Sequence, residues 1–133
     1  MLVLVAAAAA PILGFVAVNV GRQREVAAGD IHWQLGHYGF MAAIGITVIA
    51  LAVLAGFRPA GWRLTAWVAG GLTMVLGVLS LLYPDAASSL NPVWVLAAIA
   101  WGLGFVALAE KDHESMGAST AVHRASISDA ELS

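Results

Sequence analysis

The chain has 133 residues, of which 61% are hydrophobic and 11% charged, with a net charge of −2 and no cysteine. A water-soluble domain carries roughly 25% charged residues, and a short chain has proportionally more surface to cover, so lipid is the solvent this composition fits. The small net charge gives no footing for a nucleic-acid partner, and the lack of cysteine excludes disulfides, thiol catalysis, iron–sulfur clusters and cysteine-based zinc sites.

A helix satisfies its own backbone in hydrocarbon and needs about 20 apolar residues to cross it. The first such run covers residues 2–20 without a charge. It reads as an uncleaved span: no Lys or Arg precedes it, and it outruns the roughly 7–15 residues of a signal-peptide core. Pro11 falls inside it, which neighbouring helices can accommodate. A polar loop, "GRQREVAAGDIHWQ", leads to the second span over residues 35–57, with His37 near its start. The tight connector "RPAGWR" precedes the third, residues 64–83. A third loop, "PDAASSLNP", ends in Asn91–Pro92, an N-cap followed by a first helical residue, and opens the fourth span over residues 93–109. From Glu110 onward the chain is polar and aperiodic, which predicts a flexible tail over residues 110–133.

These elements predict an all-α integral membrane protein whose four transmembrane helices form a compact antiparallel bundle. Helix association in lipid depends on close fit, and each span offers small residues four apart: Ala6, Ala10 and Gly14 in the first; Gly39, Ala43 and Thr47 in the second; Ala69, Thr73 and Gly77 in the third, beside Ala66 and Gly70; Ala98 and Gly102 in the fourth, beside Ala100 and Gly104. Trp33, Tyr38, Tyr83 and Trp94 suit one interfacial belt, and Phe57 and Trp62 the other. Arg58, Arg63 and Lys111 slightly outweigh Arg22 and Arg24, which favours both termini on the cytoplasmic side. Five arginines against one lysine, in an Ala-, Gly- and Val-rich chain, match a bacterial composition and hence a cell membrane.

Intramembrane ionisable residues usually mark ion paths and proton relays, and the deep spans have none. Their polar residues are Asn19, Thr47, Thr65, Thr73 and Ser80. Asn19, near a span end, is expected to meet headgroups or water, and the hydroxyls to bond their own helix carbonyls. No hydrolase, P-loop or dinucleotide motif is present, so no catalytic, cofactor-binding or metal residue is assigned. The stretch "GDIHWQLGHYGFM", residues 29–41, holds two histidines. On one continuous helix His32 and His37 stand about 140° apart, which does not make a shared metal face. His113 and His123 lie in the tail, across the membrane from the first loop. Extrapolated along the second span, His32 continues the small-residue stripe toward the bundle mouth, whereas His37 follows Met41, Ile44 and Val48 outward to the headgroups.

The expected function is a non-catalytic accessory, scaffolding or assembly subunit of a membrane complex. Its expected partners are the lipid bilayer and other membrane subunits or copies of itself. Two alternatives stand beside it: a small oligomeric transporter or channel for a neutral or hydrophobic solute, and a redox or quinone-associated subunit. His32, Gly39, Thr47 and Thr73 are the candidate polar-entrance or packing residues.

Overall fold

The computed structural model describes residues 1–25 and 29–131, with side chains to Ser115. The helices in order are α1 (Leu2–Arg24), α2 (Ile31–Gln34), α3 (His37–Phe57), α4 (Trp62–Leu82) and α5 (Pro92–Glu131). Four of them, all but α2, are long and apolar enough to cross a membrane, and they pack together into a multi-pass type of bundle.

Local chemistry sets each boundary. Arg22 and Arg24 occupy the last turn of α1, where cations complement the partial negative charge of the helix end. Gly36 adopts φ +69° between α2 and α3, a left-handed conformation that an L side chain resists. Arg58 takes the same region at the end of α3, and Pro59 follows. Asn91 caps α5 as expected: its side-chain oxygen accepts from the backbone N–H of Trp94 at 3.2 Å. The helical backbone of α5 does not stop at Ala109, where hydropathy falls, but continues to Glu131. Its first polar turn is tied down by Arg63–Glu110 at 2.6 Å and by an Arg58–Asp112 ion pair. His123 and Arg124, and any docking or modification site in the tail, lie outside the described side chains.

Consecutive long helices pack on one another: α1 on α3, α3 on α4, and α4 most extensively on α5, while α1 and α5 scarcely touch. The bundle is therefore a row folded part-way round and left open on one side. Its core lies toward the α3–α4 turn, where Val5, Ala52, Ala55, Ala66, Ala69, Phe105 and Ala109 pack around Trp62. At this end Trp101 stacks on Phe105 with centroids 4.7 Å apart, and its indole N–H donates to the Leu4 carbonyl at 2.8 Å, joining α5 to α1.

The packed stripes match the expected ones in α4 and, at Ala98 and Gly102, in α5, and shift on α1 and α3. Ala66, Ala69, Gly70, Thr73 and Gly77 are buried. On α3 the packed face is Tyr38, Ala42, Gly45, Val48, Ala52 and Ala55, and Ala43 and Thr47 face outward. On α1 the buried residues are Val5, Ala8, Val16 and Asn19, and Ala6, Ala10 and Gly14 are exposed. On α5, Gly102 is buried while Ala100 and Gly104 are exposed. A helix apolar on every side carries no polar face to mark its orientation, so shape decides which face packs. The tightest fit is between α4 and α5. A Cβ built on Gly102 would stand 2.6 Å from the Gly70 carbonyl oxygen, and one on Gly70 would stand 2.8 Å from that of Gly102.

Candidate functional site

The histidine-containing stretch folds as a collar over the ends of α1 and α3. Asp30 caps α2 through the His32 N–H at 2.8 Å and accepts from the Tyr38 hydroxyl at 2.9 Å. The Tyr38 hydroxyl, followed by the His32 N–H, holds the Asp30 carboxyl below the usual carboxylate range. Gln23 locks the collar to α1: Trp33 Nε1 donates to its carbonyl at 2.8 Å, its amide donates back to the Trp33 carbonyl at 3.2 Å, and its Oε1 accepts from Gly39 N–H at 3.1 Å.

The two histidines do not follow the extrapolated stripes. His32 is exposed and His37 half-buried. The left-handed turn at Gly36 breaks the helix between them and resets its phase, so residues before it do not continue the stripes of α3. The same break brings the two rings to 5.2 Å between centroids, both beside Tyr38. Among the described residues no three His, Asp or Glu side chains are grouped to hold a metal ion.

The open side of the bundle contains a half-open cavity of about 570 Å³. One wall is α1 from Ala7 to Val18, the opposite wall α5 with Trp94, Ala97, Ala98 and Trp101, and the back is formed by Ile44, Val48, Leu72 and Leu76. The lining is almost wholly apolar, with Thr73, Ser89 and Asn91 its only side chains bearing a hydroxyl or amide. Thr73 spends its hydroxyl on its own helix, donating to the Ala69 carbonyl at 2.8 Å. Of the four residues singled out from sequence, Thr73 lines this cavity. Gly39 sits under Gln23, and His32 and Thr47 face outward.

Two contacts hold α1 to the α4–α5 loop beyond the Val18 end of the cavity wall. Asn19 is 1% exposed, not at the headgroups: its amide donates to the Phe15 carbonyl at 2.9 Å, and its oxygen accepts from the Ser88 hydroxyl at 2.8 Å. One turn on, Arg22 donates to the Ala87 carbonyl and lies over the Tyr38 ring, 5.7 Å from its centroid. A lone amide in an apolar run that lacks other polar side chains is the signal that marks Asn19, because burying it requires partners. The cavity has no such signal, since its walls are assembled from four helices, α1, α3, α4 and α5, and the end of the α4–α5 loop, far apart in sequence. No protein-family model, no curated protein and no solved structure matches this chain.

Proposed function

We propose that this chain is a non-catalytic protein of the cell membrane that takes up an apolar molecule through its unclosed side. The observation that carries this reading is the roughly 570 Å³ cavity between α1 and α5, a volume within the range of small-molecule sites. It favours the hydrophobic-solute reading of the sequence over the subunit reading. Membrane insertion with both termini cytoplasmic is part of the proposal. It is supported by four apolar helices of which only 22–33% of the residues are buried inside the chain, a surface that water tolerates poorly. Such insertion places the cavity's opening sideways, toward the lipid.

The test is binding of a neutral apolar fluorophore, N-phenyl-1-naphthylamine, to the protein in nanodiscs. Saturable binding that a Gly14→Phe variant abolishes supports the reading. Signal equal to that of empty nanodiscs removes it. A second reading, the accessory subunit, is favoured by the helical backbone that α5 continues to Glu131. It requires that a partner isolated with the full chain in mild detergent be lost when the chain is ended at Ser115.

A further inference from the structure

We propose that the cavity between α1 and α5 seats one acyl chain of an anionic bilayer lipid, with the headgroup held at the Arg22 end. This rests on the reading of the cavity as a site for an apolar molecule and names its occupant.

The dimensions suit an extended chain. From Ala7 to Val18 the α1 wall runs about 17 Å at 1.5 Å per residue. A volume of about 570 Å³ spread over that length has a mean cross-section of roughly 35 Å². An extended alkyl chain whose neighbours sit about 4 Å away occupies roughly 20 Å². With C–C bonds of about 1.5 Å at tetrahedral angles, an extended chain advances about 1.25 Å per methylene, so the length corresponds to roughly 13 methylenes. One acyl chain fits with the lateral clearance that a half-open groove leaves.

A chain moving from bilayer to groove leaves one hydrocarbon for another, and gains little from the hydrophobic effect. Selection therefore falls to the mouth, where the side-chain polar groups at hand are mainly donors. Asn91 is exposed and uses its oxygen on the Trp94 N–H, which leaves its amide NH₂ as a donor. Trp94, 47% exposed, lines the wall beside it and carries an indole N–H. Arg22 continues the α1 face that includes Val18; its partners there are the Ala87 carbonyl oxygen and the ring of Tyr38, whose hydroxyl in turn donates to the Asp30 carboxylate. The hydroxyl of Ser89 is turned back to the Ser80 carbonyl at 3.2 Å. Asp85, the one carboxylate of the α4–α5 loop, is exposed. A guanidinium, an amide and an indole suit a phosphate carrying full negative charge, and a basic side chain at a lipid surface favours anionic lipid by about 1 kcal/mol, or roughly fivefold.

The test uses the full chain in nanodiscs with phosphatidylglycerol bearing a mid-chain diazirine, against the same chain on phosphatidylcholine, with labelled residues located by mass spectrometry. Expected labels fall on the α1 and α5 walls in preference to the outward faces at Ile46, Val75 and Leu103, and are roughly fivefold stronger for phosphatidylglycerol. Gly14→Phe removes the wall labels; Gly14 lines the cavity and a Cβ there meets nothing within 4 Å, so the ring fills the groove. Ala97→Phe does the same from the opposite wall, which keeps the test decisive if one variant fails to fold by circular dichroism. Arg22→Gln erases the headgroup preference and leaves the wall labels. Even labelling over all outward faces, unchanged by both Phe variants, overturns the inference; so does wall labelling with no headgroup preference. If the fluorophore still binds in those cases, the apolar-site reading stands and only the lipid assignment falls; if it does not, both fall.

Discussion

The sharpest prediction concerns the backbone contact between α4 and α5. Gly102→Ala places a methyl carbon 2.6 Å from the Gly70 carbonyl oxygen, with the Met74 backbone N at 3.3 Å. Carbon and oxygen do not approach so closely, and the obstacle is helix backbone, so α5 must move away by several tenths of an ångström along its main interface. Overpacking of this kind costs about 1–3 kcal/mol, whereas Gly→Ala inside a helix returns about 0.5–1 kcal/mol of conformational entropy and propensity. The net expectation is a loss of about 1–2 kcal/mol. Gly104, two residues on, is exposed, and a Cβ there meets nothing within 4 Å, so Gly104→Ala returns only the helix term and is neutral to stabilising. Gly70→Ala and Gly71→Ala form the same pair on α4, Gly70 facing Gly102 and Gly71 open. Reversible unfolding in mixed micelles, followed by circular dichroism, reads all four. Equal shifts within either pair, or a stabilised Gly102→Ala, would refute the close approach of these helices.

Three further outcomes are expected. Asn19→Ala leaves the buried Ser88 hydroxyl without its partner, so stability drops by about 1–3 kcal/mol and amide exchange in the α4–α5 loop rises; unaltered exchange there would count against the Asn19–Ser88 tie. Trp101→Phe keeps the stack on Phe105 but loses the N–H donated to Leu4, an expected cost of about 0.5–1.5 kcal/mol, with a larger distance between spin labels on the α1 and α5 ends nearest Leu4. The Asp30 carboxyl is held below its ordinary range by the Tyr38 hydroxyl first, so its contribution is present at neutral pH and is lost as pH falls through the depressed folded value. The thermal-stability gap between the protein and Tyr38→Phe should then narrow on acidification from about pH 7 to about pH 3, and a constant gap would show that the bond is not linked to the carboxylate's charge.

What was legible in the sequence is what depends on composition along a line. Continuous apolar runs located the starts of all four long helices, and the ends of the first three, to within a few residues, because an unbroken run of this length has few other stable forms; the end of α5, at Glu131 rather than Ala109, was not marked by hydropathy. The Asn91–Pro92 cap and the breaks near Arg58 and Pro84 were legible for the same local reason. The α4 stripe was also readable, because Ala66, Ala69, Gly70, Thr73 and Gly77 crowd one side of an otherwise bulky helix.

Facing and closure were decided only in three dimensions. On α1 and α3 nearly every side is apolar, so hydropathy cannot separate the packed Gly45–Val48 face from the outward Ala43–Thr47 one. The histidines were misplaced because one left-handed glycine, Gly36, changes the phase of everything before it. Asn19 was assigned to the headgroups because its partner, Ser88, lies 69 residues away in the chain. The cavity has the same origin. Each wall is an ordinary apolar stretch, and a cavity arises because α1 and α5 meet at Trp101 and stay apart along the Ala7–Val18 wall. The sequence by itself determined how many long apolar helices there are and where they begin. Which faces meet, and which side stays open, followed from side-chain shape across long sequence separations, which no local pattern encodes.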